Sequence, residues 1–411
     1  MNLTYLTPSG QLGGAEIVLL DLMTSIRQAE PDWRVNLVLG SDGPLVSRAE
    51  ELGVTTLVLN FPRAVARLGD AGVGGPAGKQ VGKLALAGRL AGSTPALALY
   101  VKKLRAALAA LRPDLIHTNG FKMHILGAWS APQGVPVIWH VHDYVSKRPV
   151  MARLLRRNSN RCAGAIANSQ SVAADLKSIC DGRLKVQTIH NGIDLDRFTP
   201  DGARLDLDCL AGLDAAEGGT VRVGLIGAFS RWKGHGVFLK SLALLPKRLK
   251  IRGYIIGDAI YATDGSQYRM MELRAMAERL GVADRVGFTG FVADVPAAMR
   301  ALDIVVHAST EPEPFGLVIA EAMACGRAVI ASSAGGATEL FTENVDALGH
   351  APGDAVGLAG LIERLSADSQ LRSGLGTGGR PKAETRFARA RMAGEVIPIY
   401  CDARNKNGIL S

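Results

Sequence analysis

The sequence predicts an α/β fold made of two Rossmann-like domains, and three observations lead to this prediction. The chain has 411 residues, 47% of them are hydrophobic, and short apolar runs alternate with helical patterns from end to end. Because single hydrophobic cores stop growing beyond roughly 250–300 residues, we expect two domains with a cleft between them. Alternating strands and helices are typical of βαβ units, whose parallel sheets are buried on both faces.

The apolar runs mark the predicted strands of both domains. They lie at 3–6, 35–39, 54–59, 115–117, 137–141 and 165–167 in the first half, and at 221–226, 251–256, 286–288, 304–307 and 328–331 in the second. Short runs rich in β-branched and aliphatic residues, separated by helical patterns, indicate parallel strands.

The predicted domain boundary lies near 190–194, before a polar stretch with little periodic apolar pattern. We assign residues 1–195 to an N-terminal Rossmann-like domain and residues 196–385 to a C-terminal one. A last helix at about 386–411 is expected to pack back on the first domain. The glycine-rich stretch 62–82 is predicted to be a flexible insertion.

The number and spacing of the cysteines and the hydropathy of the chain argue against several classes of protein. The five cysteines are an odd number without CxxC spacing, which argues against a disulfide framework and a zinc knuckle. The N-terminus lacks the basic start and long apolar segment of a signal peptide. The Ala/Leu-rich stretch 84–100 is interrupted by Gly, Arg and Pro, so it is a poor membrane span. We therefore expect a soluble, cytoplasmic protein.

The net charge of +9 is concentrated in the first half of the chain. Residues 1–200 carry 23 Lys and Arg against 14 Asp and Glu, whereas the rest is balanced. Part of the excess lies at 147–161, where basic residues alternate with Val150, Met151, Leu154 and Leu155 as on a two-faced helix. This face is either a solvated side of a core-packed helix or a surface for anionic lipid or an anionic acceptor. No aromatic stacking platform accompanies it, which disfavours nucleic acid.

The segment 311–326 contains the most informative pattern. It follows the predicted strand 304–307 and changes to helical spacing at Gly316. The amides of Gly316, Leu317 and Val318 are then unpaired donors at a helix N-terminus, a place that favours a phosphate group.

Two glutamates flank this helix start. Glu313 precedes it and Glu321 lies two turns inside it. A carboxylate at Glu321 can accept hydrogen bonds from vicinal ribose hydroxyls, while Glu313 can reach a sugar being transferred. Glutamates at this spacing are often merely solvated, but the Pro-Phe-Gly between them favours the functional interpretation.

A basic turn follows the predicted strand 221–226. Arg231 and Lys233 precede Gly234, at an edge of the sheet where open α/β folds bind ligands. Cations there can neutralise a leaving pyrophosphate without a metal ion. The alternative is a surface turn with Gly234 as its end.

The first domain offers a glycine pair and several histidines. Gly13 and Gly14 lie between the first strand and a helix, where they either admit a ligand to the backbone or form a tight turn. His140 and His142 follow each other on a strand end and are expected to point to opposite sides, one toward the cleft, with Asp143 as a partner for either. His117 ends a neighbouring strand and is a third candidate.

With these residues assembled, the chain resembles family four of the glycosyltransferases, the retaining group 1 enzymes of the GT-B fold, in which two Rossmann-like domains face each other across a cleft. The resemblance covers nearly the whole chain. It includes Gly13-Gly14, Pro136 to Asp143, Asn168-Ser169, Asn191 to Asp194 with Phe198, Lys233-Gly234, Ile256-Gly257-Asp258, Gly290-Phe291-Val292 and Glu313-x7-Glu321.

The resemblance implies a reaction and a site. The reaction is retaining, metal-independent and cofactor-free transfer from a UDP- or GDP-linked sugar to a glycan, lipid-linked or small-molecule acceptor, in cell-surface polysaccharide or glycoconjugate biosynthesis. The N-terminal domain would bind the acceptor and the C-terminal one the donor. Catalytic roles fall to Glu313, His142 and Lys233, and donor contacts to Gly13, Gly14, Arg231, Lys233, Gly257, Asp258, Phe291, Val292, Glu313, Phe315, Gly316, Leu317 and Glu321.

One position departs from the family. Ala228 stands where an arginine usually follows the strand-end glycine, and Arg231 is a candidate to supply the cation from another direction. The departure leaves a second hypothesis open, a pseudo-glycosyltransferase that binds a nucleotide sugar or a partner enzyme without transfer.

Other enzyme classes fit less well. A nicotinamide dehydrogenase needs a GxGxxG turn with an acidic residue about twenty positions on, and neither half has that pair. An epimerase or a phosphorylase shares the shape, but the phosphorylase lacks its cofactor lysine context here. A metal-dependent GT-A enzyme would use Asp194 and Asp196 or Asp206 and Asp208, which lie in the inter-domain segment and fit acidic turns better.

Overall fold

A computed structural model describes residues 1–62, 83–259 and 266–408. The chain divides into two compact units, unit 1 being Met1–Gly192 with Arg389–Ser411, and unit 2 being Ile193–Ala388. Apart from residue 62, the predicted insertion lies outside the described residues. No helix in the described part of the chain is both long and apolar enough to cross a membrane.

Unit 1 alternates strands and helices along the chain. Its elements are β1 (Asn2–Thr7), α1 (Gly14–Ala29), β2 (Arg34–Leu39), α2 (Pro44–Glu50), β3 (Thr55–Val58), α3 (Lys83–Leu111), β4 (Leu115–Asn119), α4 (Phe121–Ser130), β5 (Val137–Val141), α5 (Pro149–Asn158), β6 (Gly164–Ala167), α6 (Gln170–Ile179), β7 (Val186–Thr188) and, after unit 2, α14 (Arg391–Gly408).

The seven strands of unit 1 form one parallel sheet in the order β3-β2-β1-β4-β5-β6-β7. All residues of β4, β5 and β6 are buried. Burial on both faces explains why β5 and β6 are mostly apolar and do not alternate between apolar and polar residues, whereas β4 ends in polar residues at the carboxyl edge of the sheet.

The last helix, α14, packs on α1. Ser25 of α1 donates from Oγ to the carbonyl oxygen of Ala390 at 3.2 Å and accepts from the amide of Ala393 at 3.0 Å. Tyr400 is fully buried, and its hydroxyl contacts Nδ1 of His117 at 2.7 Å. The end of the chain is thus anchored to the first sheet through polar contacts as well as apolar packing.

Unit 2 repeats the alternation. It contains α7 (Leu207–Ala211), β8 (Val221–Ile226), α8 (His235–Leu244), β9 (Ile251–Ile256), α9 (Met270–Arg279), β10 (Val286–Gly290), α10 (Val295–Arg300), β11 (Ile304–His307), α11 (Leu317–Ala324), β12 (Ala328–Ser332), β13 (Leu348–His350), α12 (Ala355–Ala367) and α13 (Ser369–Arg386).

Its six strands pair in parallel in the order β10-β9-β8-β11-β12-β13. The direction of strand order reverses between β8 and β11, and in open α/β sheets ligands bind outside the carboxyl ends of the strands at such a point. The predicted α/β fold with two Rossmann-like sheets is confirmed. The segments that leave β8 and β11 are therefore the first place to look for a site.

Candidate active site

The turn after β8 approaches the end of β11 very closely. Residues Arg231–Lys233 form one turn of 3₁₀-helix, and Gly234 ends it with φ of +77°. A Cβ atom at Gly234 would lie 1.8 Å from the carbonyl oxygen of Ala308, so only glycine fits here without a shift of the backbone. Gly234 is a steric requirement that lets Lys233 meet the segment after β11.

Lys233 and Glu313 form an ion pair at this edge. The Lys233 Nζ atom lies 2.9 Å from Oε1 and 3.0 Å from Oε2 of Glu313. The Glu313 side chain is 8% exposed and that of Lys233 is 26% exposed, so the lysine is the member that solvent reaches more easily. The ammonium also lies 4.1 Å from the centre of the Trp232 ring. The structure thus brings together two residues that are 80 positions apart in sequence.

Two further donors contact Glu313. His307 Nε2 lies 3.0 Å from Oε2, and the Ser309 hydroxyl donates to the same oxygen at 2.7 Å. Burial by itself would raise the pKa of Glu313, but the charge of Lys233 and the hydrogen bonds from His307 and Ser309 outweigh it and hold that pKa well below its usual range. Glu313 is therefore a buried, ionised carboxylate at neutral pH.

The N-terminus of α11 begins three residues after Glu313. Gly316 is the N-cap with φ of +101°, and Leu317 and Val318 provide first-turn amides. Glu321 lies in the second turn and is partly exposed. Phe315 is only 2% exposed and meets the ring of Phe387 edge-on, so its side chain belongs to the core and only its backbone can serve a ligand.

Arg231 is held by Tyr268, just before α9, and by Glu272, in the first turn of α9. Its guanidinium lies 3.1 Å from a carboxylate oxygen of Glu272 and 4.3 Å from the centre of the Tyr268 ring. Both members of the ion pair are 44% exposed. A bound phosphate would have to compete with Glu272 for this cation. Ala228, on the same loop, contributes no charge.

Glycines and an exposed ring lie at the ends of β9 and β10. Gly257 has φ of +141°, and a Cβ there would be 2.1 Å from the carbonyl oxygen of Gly227. Asp258 follows on the surface, where its carbonyl oxygen accepts from the amide of Phe229 at 3.1 Å. Phe291 is 70% exposed, whereas Val292 is buried in the core. The side chain available for a flat ligand is that of Phe291.

In unit 1 the glycine pair lies at a helix start. Gly13 is the N-cap of α1, and Gly14 is its first residue. Glu16 stands in the first turn, where burial raises the pKa of its carboxyl group, although hydrogen bonds from its own amide and that of Gly13 work in the opposite direction. The Gly13 amide is thus already used by a carboxyl group of the same turn.

The histidines of unit 1 form a buried group. His140 and His142 have ring centres 4.0 Å apart, and those of His117 and His140 are 5.1 Å apart. The expectation that His140 and His142 point to opposite sides is wrong, because residues two apart in a strand share a face. Burial lowers the pKa of His142 to about 4 and that of His117 to about 3, so both rings are neutral at pH 7. Asp143 pairs instead with Arg148, at 2.8 Å.

Several polar atoms around these histidines have no hydrogen-bond partner among the described residues. They are Thr7 Oγ1, Asn119 Oδ1, both ring nitrogens of His140 and of His142, and Asn168 Oδ1. Thr7 and Asn119 end β1 and β4, His140 is the last residue but one of β5, and His142 and Asn168 follow β5 and β6, so all of them lie toward the carboxyl edge of the first sheet. Buried polar atoms without a partner are uncommon in folded proteins, so this group of atoms is unusual.

The acidic pairs considered as metal ligands have other roles. Asp206 caps α7, and Asp208 is buried between Arg222 at 2.9 Å and Arg252 at 2.7 Å. Asp194 accepts from the amides of Asp196 and Arg197 in a turn, at 3.1 and 3.3 Å. Within the described ranges, no group of three or more His, Cys, Asp or Glu side chains could hold a metal ion.

The basic helix is α5, and it is indeed two-faced. Ala152 and Leu155 are buried against the unit 1 core, so its apolar side is already used, while Val150 remains 44% exposed. We define the basic face as the exposed side chains of Lys147, Arg153, Arg156, Arg157 and Arg161. Arg156 pairs with Asp181 at 2.6 Å.

Sequence reasoning missed His307 and Ser309 as site residues. Both stand at or just after the carboxyl end of β11, and a histidine that ends an otherwise aliphatic strand was the available signal. Their contacts with Glu313 depend on how the chain turns back after β11, which no local pattern specifies.

Comparison with known proteins identifies the family. The family described as Glycosyltransferase Family 4 matches residues 12–197, and that described as Glycosyl transferases group 1 matches residues 216–382. A D-inositol 3-phosphate glycosyltransferase of Salinispora tropica is 30% identical over 344 residues, covering 76% of this chain and 69% of the relative. A lipopolysaccharide core biosynthesis mannosyltransferase of Rhizobium meliloti is 28% identical, over 76% of this chain and 94% of its own length.

Solved structures agree with this result. Anabaena HepE in complex with UDP superposes with a TM-score of 0.77 at 27% identity, over 98% of this chain and 100% of that one. HepE in complex with UDP-glucose gives a TM-score of 0.76 over the same shares. Sucrose-phosphate synthase from Thermosynechococcus elongatus, at 21% identity and a TM-score of 0.76, shares the fold. The chain belongs to family four of the glycosyltransferases, the group 1 glycosyl transferases with the GT-B fold.

Proposed function

We propose that this protein is a retaining hexosyltransferase that takes its sugar from a nucleotide diphosphate donor bound at the carboxyl edge of the unit 2 sheet, without a metal ion. The observation that carries the proposal is the Lys233–Glu313 pair, held beside the N-terminus of α11 at the point where strand order reverses. A cation, a buried carboxylate and helix amides converge there, as binding and departure of a sugar diphosphate require.

The roles follow from charge and position. As the bond between the sugar and the diphosphate breaks, negative charge builds on the leaving phosphate. Lys233 and the amides of Gly316 and Leu317 stabilise it. Glu313 accepts a hydrogen bond from a hydroxyl of the reacting sugar, and Glu321 accepts from the ribose. Phe291 lies beside the base, near Gly257 and Asp258.

The donor is proposed to be UDP-linked. HepE, which is 27% identical to this chain over nearly its full length, was solved in complex with UDP and with UDP-glucose. A GDP-linked sugar is the alternative, since the base contacts proposed here are made by a ring face and backbone.

Unit 1 is proposed to bind a hydroxylated acceptor, a glycan, lipid-linked or small-molecule one. The supporting observation is the set of polar atoms at its sheet edge that have no partner among the described residues, including both ring nitrogens of His142. A neutral imidazole can donate one hydrogen bond and accept another, so His142 suits a sugar hydroxyl. The relatives named for inositol phosphate and lipopolysaccharide core sugars support a role in polysaccharide or glycoconjugate biosynthesis.

We further propose a cytoplasmic enzyme that docks by its basic face on an anionic membrane. All five cysteines are free thiols, as a reducing compartment favours. Because the apolar side of α5 is buried in unit 1, the docking is electrostatic. Each basic side chain near an anionic surface contributes about 1 kcal/mol, and the attraction weakens with salt as the Debye length falls from about 10 Å at 0.1 M to about 3 Å at 1 M.

Liposome sedimentation tests the docking. The wild type should sediment with anionic vesicles at low salt, and a variant with Gln at Arg153, Arg157 and Arg161 should not. A matched variant with Gln at Lys102 and Lys103, exposed lysines of α3, should still sediment. A wild type that stays in the supernatant contradicts the membrane proposal and favours a soluble acceptor.

Donor turnover tests the transferase proposal. Purified protein is incubated with UDP- and GDP-sugars, with chelator present, and released nucleoside diphosphate is measured. Glu313→Gln should lower release to a small residual rate, whereas Glu311→Gln, at an exposed position two residues earlier, should not lower it. Proton NMR of the product should show a retained anomeric configuration. Loss of activity with chelator that manganese restores would refute metal independence.

A pseudo-glycosyltransferase is the second candidate, favoured by Ala228 and by the engagement of Arg231 with Glu272. It predicts that UDP or a nucleotide sugar raises the melting temperature of the protein while no donor is ever turned over.

A further inference from the structure

His307 ends β11 with its ring buried between two strand ends. It is 3% exposed, its Nε2 atom lies 3.0 Å from Oε2 of Glu313 and 3.0 Å from the Ser309 hydroxyl, and the amide of Ser332 donates to its Nδ1 atom at 3.3 Å. Ser332 also donates from its hydroxyl to the carbonyl oxygen of Ser309 at 2.7 Å. The ring therefore connects the end of β12 to the carboxylate of the site.

These contacts determine the tautomer of the ring. A backbone N–H can only donate, so Nδ1 must present its lone pair to Ser332. The single ring proton then lies on Nε2, directed at Glu313 and Ser309. An imidazolium would carry a proton on Nδ1 as well and would lose the bond from Ser332. In this tautomer the Nε2–H group of His307 is the donor toward Glu313.

Three donors converge on one oxygen of Glu313. Oε2 receives the Ser309 hydroxyl at 2.7 Å, the His307 ring at 3.0 Å and the Lys233 ammonium at 3.0 Å. Donors from different directions fix the rotation of the carboxylate about its last bond. The side chains of His307 and Ser309 are buried, so these two donors stay in place when Lys233 turns toward a phosphate.

We propose that His307, assisted by Ser309, is a positioning residue for transfer. Its Nε2–H group keeps the Glu313 carboxylate in one orientation while Lys233 contacts both Glu313 and the donor diphosphate. This inference rests on the proposed role of Glu313. His307 touches no substrate itself and acts through Glu313. Its loss should lower kcat on the order of 10- to 100-fold, because small misplacements of a group that contacts the reacting centre have effects of that size.

The tautomer is tested first, since this measurement needs no activity. In protein labelled with ¹⁵N-histidine, the long-range proton–nitrogen spectrum of His307, assigned by its disappearance in His307→Gln, should show a protonated Nε2 and an unprotonated Nδ1. A protonated Nδ1 overturns the inference even if the enzyme transfers sugar.

Kinetics then test the positioning role. His307→Leu should lower kcat while the Kd of UDP, which has no sugar for Glu313 to contact, stays within about twofold. His307→Gln, which keeps a donor near the Nε2 position, should recover much of the loss. The matched control is His350→Gln. His350 is also buried, ends β13, which is separated from β11 by β12, and contacts the backbone carbonyl oxygens of Ala351 at 2.9 Å and His307 at 3.3 Å.

A double-mutant cycle separates positioning from general damage to the fold. The cycle compares rates of donor turnover, measured as transfer or as slow hydrolysis of the donor. In a Glu313→Gln background, His307→Leu should have little further effect on the residual rate, because the effects of residues that act through one another are not additive. Additive losses, or an equal loss for His350→Gln, overturn the inference. If the wild type turns over no donor but its spectrum shows the Nε2–H tautomer, the proposed function fails and the geometry of His307 stands.

Discussion

Replacing Lys233 with Met leaves a buried carboxylate without its cation. Glu313 is 8% exposed, and removing one partner of a buried ion pair destabilises proteins by about 3–5 kcal/mol. Because the donors Ser309 and His307 remain, we expect the lower end of this range, a loss of about 3 kcal/mol in the free energy of unfolding of unit 2. For a unit of roughly 200 residues this corresponds to a fall of roughly 6–12 °C in Tm.

The pH dependence of this deficit has a definite sign. In the wild type the pKa of Glu313 is lowered, so its stabilising contribution is present above the pKa of the unfolded chain and is lost as pH falls through the folded pKa. Burial is the largest single influence on Glu313, and without Lys233 only the contacts with His307 and Ser309 oppose it, so the pKa of Glu313 moves upward from its wild-type position. The variant is then most impaired at high pH, and its deficit shrinks as pH falls through the raised folded pKa of Glu313, because protonation removes the unpaired charge.

Calorimetry of Lys233→Met at several pH values measures the deficit. The double variant Lys233→Met/Glu313→Gln should regain most of the lost Tm, since it removes the stranded charge, and should stay inactive. Lys250→Met is the matched control, because Lys250 and Glu217 make an ion pair of the same 2.9 Å length with both side chains exposed. Its Tm should not change measurably. A deficit in Lys233→Met that does not vary with pH, or that the double variant does not relieve, refutes the reasoning.

Three further predictions concern the same edge of unit 2. Glu321→Ala should mainly raise the Kd of UDP, because a ribose contact is present in both the ground state and the transition state. Glu313→Ala should mainly lower kcat, because contact with the reacting sugar tightens in the transition state. Equal, small effects of the two substitutions would show that the assignment of the helix is wrong. Gly234→Ala should lower the free energy of unfolding by at least about 1–2 kcal/mol from its left-handed backbone alone, and UDP affinity should fall with it as the turn is displaced; an unchanged Tm contradicts the steric argument. Ala228→Arg should lower the Kd of UDP about 10- to 100-fold, because it adds a charge-assisted hydrogen bond to a phosphate. Isothermal titration calorimetry measures the change, and an affinity that does not improve would show that the loop directs this position elsewhere.

Local patterns were sufficient for the fold and for part of the site. The runs at 221–226 and 304–307 coincide with β8 and β11, and the helix start at Gly316 matches the N-cap of α11. These features depend on near neighbours, namely apolar side chains in a row and a glycine where helical spacing begins. The position of Glu313 just before the helix followed from the same pattern.

Contacts between distant segments were not predictable in this way. His140 and His142 were expected on opposite sides, although the strand period places them on one. Arg231 was a candidate to supply the cation that is missing at Ala228, yet it pairs with Glu272, 41 positions later. The local sequence around His307 did not indicate its contact with Glu313. The contacts of Arg231 and His307 depend on which segments leave neighbouring strands at the same edge, whereas the side on which His140 and His142 lie is a local property that was misjudged.

The sequence by itself determined that this chain is α/β, that its apolar runs are strands of parallel sheets, and that it carries the motifs of family four. Hydrophobic periodicity, the positions of glycines at turns and the spacing of motifs are local properties of the sequence. A single run of apolar residues is enough to indicate a strand that is buried on both faces. Only the tertiary structure decided that Lys233 pairs with Glu313, that Gly234 makes this approach sterically feasible and that His307 supports the carboxylate. Strand order places β8 beside β11, and side chains 80 positions apart meet because of that order and not because of anything in their own neighbourhoods.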